Sequence, residues 1–315
     1  MNAEKMTHTR LSPMSTVVTE SRTALRFPET PIRKIEVPGF TNVWMKDESV
    51  NEYSGTHKDR LAWDAVNLYR GIVRARGGNN KGEPLPQFSI ITSGSAGIAI
   101  GRAFRQNGFP KLKVLVDFRI DKKIFAALQN AHCEVFTADL AERPLCHADI
   151  LRLTQNEKGL ELTSHKDIAI DIGSYDSLSF DVLNQSPEYV FVPFGTGVTY
   201  KKLIYTAENL LTHERHERDP RYRGDVSKIG TCHFIGATTH NPHSIADKLH
   251  SPHSPFQELK EDQLEFYKNA GYCGAHSGIY DVEEKFLNEA MRIAESQGIV
   301  CEASGIAGLA LLLQM

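Results

Sequence analysis

"NEYSGTHKDR", residues Asn51–Arg60, is the stretch on which the reading of the fold turns. It joins a short apolar run, "TNVWMK" (Thr41–Lys46), to a helical pattern from Thr56 to about Arg76. In that pattern Leu61, Ala65, Leu68, Ile72 and Ala75 recur at three- and four-residue steps. Gly55 lets the backbone turn sharply ahead of the helix. Lys58 then stands at the helix N-terminus, where the macrodipole disfavours a cation. That cost disappears if the amine is neutral or covalently occupied. Strand, glycine turn and amphipathic helix in succession form one unit of an alternating α/β chain.

The same unit repeats outward from this point. "FSIIT" reads as a strand and "AGIAIGRAFRQNG" as a helix closed by Gly108. "KVLVD" is a strand, "DKKIFAALQNAH" a helix starting near Asp121, and "EVFTA" the next strand. Helices are expected from about Arg143 to Gln155 and from about Tyr175 to Asn184. "YVFVPF" and "SKIGTCHFIGA" read as strands, with the helix "TYKKLIYTAENLLTH" between them. The helix "DVEEKFLNEAMRIAESQG", a last strand "IVCEA" and a last helix "SGIAGLALLLQ" complete the pattern. "GGNNKGEPLPQ" breaks the first helix, and "HERHERDPRYRGD" (His213–Asp225) is a charged surface segment. This alternation predicts mostly parallel sheets with helices on both faces. Ligands then gather at the carboxyl ends of the strands.

The totals narrow the classes of function. With 315 residues the chain is long enough for two domains, and 41% hydrophobic with 24% charged residues is a soluble globular profile. A net charge of -3 gives no electrostatic case for nucleic acid or an anionic membrane, so neither is expected as a partner. No apolar run approaches a membrane-spanning length. The first twenty residues lack an apolar core and a clear cleavage site, so a cytoplasmic location is expected. The five scattered cysteines, without a CxxC pair, argue against a disulfide framework.

Three glycine-bearing loops follow strands and open helices: "TSGSAG" (Thr92–Gly97), "FGTGVTY" (Phe194–Tyr200) and "EASGIAG" (Glu302–Gly308). Each offers backbone N–H groups at a helix N-terminus, where an anion can bind. "FGTGVTY" is neither a Walker loop nor GxGxxG, because Tyr200 stands where the third glycine would be. Its two glycines and the hydroxyls of Thr196 and Thr199 suit one phosphate monoester. The hydroxyls of Thr92, Ser93 and Ser95 could hold a carboxylate, although a capped helix start reads equally well. His240, His243, His250 and His253 lie in "THNPHSIADKLHSPH", but no HExxH is present and prolines break any single helix, so no metal is expected. "HERH" (His213–His216) reads as a solvated face.

A lysine on a glycine turn, a carboxylate loop and a single-phosphate loop together suggest pyridoxal phosphate. The chain resembles the tryptophan-synthase-beta-like (fold type II) family of pyridoxal phosphate-dependent enzymes, which includes threonine synthase, cysteine synthase and serine/threonine dehydratases. "ETPIRKI", "WMKDESVNEYSGTHKDR", "TSGSAGIAIGRAF", "YVFVPFGTGVT", "SIADKL" and "CEASGIAGLALL" stand in the family's order and approximate spacing. "KDES" followed by "SGTHKDR" looks most like threonine synthase.

The resemblance implies two three-layer α/β domains with the cofactor in the cleft between them. It places the smaller domain at residues 46–171 and builds the larger from residues 1–45 and 172–315. It implies that Lys58 carries the cofactor as a Schiff base and, once released, moves protons as a neutral amine. Gly195, Thr196, Gly197, Val198 and Thr199 match the phosphate cradle. Thr92, Ser93, Gly94, Ser95 and Ala96 match the loop that grips the substrate carboxylate. Ser95 stands where the family usually carries an amide that contacts the cofactor's ring oxygen. Relatives usually continue past the last helix with another strand and loop. Ser304, which matches a serine of the cysteine-synthase branch, is therefore expected to partner the pyridine nitrogen. The implied activity is elimination or replacement at the β or γ carbon of a small amino acid, with a homodimer as an open expectation. Two alternatives stand beside it: a non-catalytic phosphate- or amino-acid-binding relative, and a nicotinamide oxidoreductase.

Overall fold

Apolar residues at helical spacing need a surface to cover, and the strands supply it. The computed structural model describes residues 27–76, 85–163, 173–213, 219–250 and 261–315. An antiparallel ribbon comes first, β1 (Ile32–Val37) with β2 (Phe40–Lys46), followed by α1 (Lys58–Ala75). A run of alternating elements then gives β3 (Phe88–Ile91), α2 (Ser95–Gln106), β4 (Leu112–Asp117), α3 (Lys122–Asn130) and β5 (Cys133–Ala138). It ends with α4 (His147–Leu153) and the short β6 (Leu160–Glu161). These strands form one parallel sheet in the order β5-β4-β3-β6. β4 and β5 are in register from Leu112↔Cys133 to Asp117↔Ala138.

The second run holds α5 (Gly173–Leu183), β7 (Tyr189–Pro193), α6 (Val198–Thr212), β8 (His233–Thr238) and α7 (Glu261–Asn269). β9 (Gly278–Asp281), α8 (Glu284–Ser296) and α9 (Ala303–Gln314) complete it. β7, β8 and β9 make a second parallel sheet. The expected α/β architecture of mostly parallel sheets is therefore present. The expected domain change at Asp171 and Ile172 lies outside the described residues, as do the N-terminal twenty, His216 and His253.

Burial explains why each helix sits where it does. Ala62, Ala65, Val66 and Tyr69 form the buried stripe of α1 against β3, α2 and β4. The Tyr69 ring meets Phe88, Phe104 and Phe109 at centroid distances of 5.1, 5.3 and 4.6 Å. The second sheet has a core on each face. One is built with α5 and α6 around Tyr200 and Phe234, the other with α8, α9 and the ribbon residues Ile35 and Val37. α9 lies so close to β7 that a side chain at Gly308 would put Cβ 2.8 Å from the Phe191 carbonyl oxygen.

Three readings need correction. "IVCEA" is not a strand. Val300 is 81% exposed, and residues 299–302 simply connect α8 to α9, which pack on each other. The helix expected from Arg143 starts only at His147, because the Asp149 carboxylate accepts from the Cys146 amide and pairs with Arg143 at 2.7 Å. The "SKIG" portion of the expected strand is a 3-10 turn and its exit, and the ladder begins at His233. The sequence pattern does not show β1, β6, α7 or β9: β6 and β9 are short and pair with strands distant in the chain, whereas β1 pairs with its immediate neighbour β2.

The Asp-Arg pair after Lys58 now has an explanation. The Asp59 carboxylate accepts from the amides of Tyr53 and Ser54 and from the Ser54 hydroxyl, so it ties down the turn before the helix. Arg60 is 1% exposed, and all five of its N–H donors are used. Nε and Nη2 grip Glu48 at 2.9 and 2.8 Å, and Nη2 also reaches Thr30. Nη1 donates to the Ser174 carbonyl and the Ser177 hydroxyl. Burial pushes the Glu48 carboxyl up, but the bonds from Arg60, Thr30 and Asn51 outweigh it and leave the group below its ordinary 4.5. Its stabilising contribution is thus present above the ordinary range and is lost as pH falls through the lowered value. Arg60→Ala leaves Glu48 unpaired and should cost about 3–5 kcal/mol in urea unfolding. It should also flatten the acid limb of the stability profile.

Candidate active site

Lys58 is the first residue of α1 and is half-buried, with its amide donating to Thr56 Oγ1 at 3.1 Å. Gly55, with φ 65°, makes the preceding turn, and Asn51 pins it through the Thr56 carbonyl. Among the described residues the Lys58 ammonium makes no hydrogen bond or ion pair. Burial pulls its pKa down to about 8, against the opposing pull of the Glu302 charge. His57 is pushed down to about 3 by burial and then by the Lys58 charge, so it is neutral at neutral pH. Its ring meets Tyr175 edge-on, with centroids 5.9 Å apart.

The loop after β3 contains Thr92, Ser93, Gly94, Ser95 and Ala96. The buried Thr92 hydroxyl accepts from the Gly94 and Gly97 amides at 3.0 and 3.2 Å and so ties the loop to the first turn of α2, whose N-cap position is Gly94. Gly94 has φ 141°, and a side chain there would meet Ile124 at 2.8 Å. Ser93 is exposed, Ala96 half-buried, and Ser95 is the buried first residue of α2.

The loop after β7 contains Gly195, Thr196, Gly197, Val198 and Thr199. Gly197, at φ 83°, is the N-cap of α6 and provides no side-chain cap. The amides of the first turn are therefore left for another acceptor. A side chain at Gly195 would lie 3.3 Å from the Lys248 carbonyl oxygen. Thr196 is exposed and Thr199 half-buried, and neither hydroxyl has a partner among the described residues.

The third loop enters α9. Ser304 is buried in the first turn, and its hydroxyl has no partner among the described residues. The N-cap of α9 is Glu302, so Ser304 lies inside the helix and does not cap it.

Two residues that sequence reasoning passed over link these loops. Lys248, in the 3-10 turn Asp247–Leu249, is ion-paired with Glu302. Its ammonium also donates to Ser95 Oγ at 3.2 Å, and the Ser95 hydroxyl reaches the Glu302 carboxylate at 3.3 and 3.4 Å. Lys248 thus runs from the backbone beside Gly195 to the first residue of α2. Glu302, in turn, is the charge felt by Lys58. Both stand in motifs noted earlier, "SIADKL" and "CEASGIAG", but nothing local in either announces an ion pair. Among the described residues no group of His, Cys, Asp and Glu could hold a metal ion. No described helix is long and apolar enough to cross a membrane.

The donor set fits pyridoxal phosphate. An uncapped helix N-terminus with two glycines and two uncommitted hydroxyls suits one phosphate. A half-buried lysine with a lowered pKa and no bound partner suits an aldehyde.

The family model described as "Pyridoxal-phosphate dependent enzyme" matches residues 25–315. No curated protein matches the chain. Solved structures with a similar fold include a diaminopropionate ammonia lyase from Escherichia coli, 15% identical, which aligns over 91% of this chain and 77% of that one with a TM-score of 0.58. An L-serine ammonia-lyase from the fungus Rhizomucor miehei is 16% identical over 91% and 86%, with a TM-score of 0.58. An O-ureido-L-serine synthase is 17% identical over 90% or more of this chain (91%) and 83% of that one, with a TM-score of 0.57. The nicotinamide alternative falls away: this chain belongs to the pyridoxal-phosphate dependent enzymes, and its cofactor is pyridoxal 5'-phosphate.

Proposed function

We propose that the enzyme catalyses elimination or replacement at the β or γ carbon of a small amino acid, with Lys58 as the attachment lysine and proton carrier. The observation that carries this reading is the Lys58 amine: half-buried, lowered to about 8, and without a partner among the described residues. Two structural neighbours are ammonia-lyases, which favours elimination as the exit. Likeness to threonine synthase or cysteine synthase in motif is the finer part of the proposal.

The chain's own residues divide the work. Gly195 to Thr199 hold the phosphate through the first-turn amides of α6 and the hydroxyls of Thr196 and Thr199. Thr92 to Ala96 orient the substrate carboxylate through the N-terminus of α2. When bound, the cofactor supplies a conjugated ring that accommodates negative charge at the α carbon. Lys58, as a free amine, takes the α proton. The amine is mostly protonated below about 8, so proton abstraction strengthens as pH rises toward that value. Ser304 offers a neutral hydroxyl to the pyridine nitrogen. A hydroxyl does not hold that nitrogen protonated as a carboxylate does, which disfavours transamination and leaves elimination preferred.

Borohydride treatment of the purified yellow protein should fix the cofactor to Lys58, read by peptide mapping. A label on another lysine rejects the assignment.

Thr196→Ala removes an exposed hydroxyl without a described partner, and should weaken cofactor binding by roughly tenfold at little cost in folding stability. Gly197→Asp should weaken it further by adding a negative charge, whereas Thr239→Ala should leave it nearly unchanged. Unchanged affinity in both loop variants would put the phosphate elsewhere.

Ser304→Asp should shift the chromophore's spectrum and raise transamination relative to elimination, because a carboxylate favours a protonated ring nitrogen. A parental spectrum and product ratio would take Ser304 out of contact with the ring.

A further inference from the structure

Two lysines feel the charge of one carboxylate at this site, but only one of them is paired with it. Glu302 is ion-paired with Lys248 and accepts from Ser95, yet among the described residues Lys58 has no ion pair at all. Lys248 and Glu302 are both partly buried, at 23% and 30% side-chain exposure, so their attraction is only partly screened. We propose that Lys248 is a positioning residue that holds the Glu302 carboxylate away from Lys58 and so lets Lys58 give up its proton more readily. The inference rests on the reading of Lys58 as the attachment lysine.

The other charged and titratable groups nearby do not supply this control. His57 adjoins Lys58 on its own segment and is neutral, and Tyr175 of α5, an uncharged phenol held well above its ordinary pKa by burial, meets that ring edge-on. Glu48 is gripped by Arg60, and Asp59 by the amides of Tyr53 and Ser54. Burial pushes the Cys301 thiol, beside Glu302, up to about 11, so it carries no charge at neutral pH. The loop at Gly195 to Thr199 brings no charged side chain. Glu302 is therefore the anion that can hold Lys58 as an ammonium to higher pH, and Lys248 is the cation that competes for it.

The geometry of the competition is specific. The Lys248 backbone lies beside Gly195, and its ammonium is steadied by Ser95 Oγ. Removing its charge leaves Glu302 with Ser95 as its remaining described side-chain partner and free to turn toward Lys58. An opposite charge brought that close favours the charged form of the amine.

The test follows the basicity of Lys58 in the full chain freed of cofactor with hydroxylamine. Reductive methylation by formaldehyde and cyanoborohydride is run across pH and read at the Lys58 peptide by mass. The parent should reach half-maximal rate near about 8. Lys248→Met should move that midpoint up by about one pH unit, and Lys248→Arg should restore it. Glu302→Gln should not raise it, and adding Lys248→Met to Glu302→Gln should produce no further upward shift.

Lys248→Gln serves as the same test should Lys248→Met fail to fold. A midpoint unmoved by both substitutions overturns the inference. So does a shift that persists in the Glu302→Gln background, which would assign it to direct repulsion between the two ammonium groups. Failure here is distinct from failure of the attachment reading, which is decided by where borohydride places the cofactor.

Discussion

A guanidinium buried to 1% exposure has to be satisfied completely or the fold around it fails, and Arg60 is the constraint on which this architecture depends. Its five donors reach Glu48 at the exit of the antiparallel ribbon, Thr30 ahead of it, and Ser174 and Ser177 on α5. Three stretches of chain distant in sequence are thereby tied to the first turn of one helix. Its face also lies over the Phe27 ring at 4.6 Å, so desolvation is offset by both hydrogen bonds and the aromatic face. Lys58 is two residues away. Its position follows from that anchorage, and Asp59 completes it by holding the turn in front.

The chemistry grows from the same placement. A lysine at a helix N-terminus is unfavourable as a cation, and burial adds to the penalty, so the neutral amine gains relative weight. Glu302 works against that trend, and Lys248 engages Glu302. The outcome is a balance among three ionisable side chains carried by α1, a 3-10 turn and the N-cap of α9. Ser95, at the head of α2, hydrogen-bonds both members of the ion pair and so ties the loop after β3 to it.

Parallel sheets explain why these groups can meet at all. Each strand delivers its loop at its carboxyl end, and the following helix points its N-terminus back toward the same edge. "TSGSAG" after β3 and "FGTGVTY" after β7 obey this rule directly. "EASGIAG" does not follow a strand. It arrives from α8 through an exposed connection, and α9 is brought close by the contact of Gly308 with the backbone of Phe191. The third loop thus reaches the site by helix docking.

What the sequence determined alone is what local chemistry can encode. The period of Leu61, Ala65, Leu68 and Ile72 specifies a helix, and glycine with hydroxyl residues before a helix specifies a loop that can accept an anion. Lys58 after Gly55 specifies a lysine at a turn, and together these motifs pointed to the family. "IVCEA" misled because an apolar run of strand length looks the same whether or not a partner strand lies beside it. Whether Ser304 caps the last helix or lies inside it depends on a backbone geometry that begins at Glu302 and that the sequence does not display. The contacts among Ser95, Lys248 and Glu302 belong to the tertiary structure, since these residues lie more than fifty positions apart in the chain. An ion pair is a matter of distance in space, and no spacing along the chain records it.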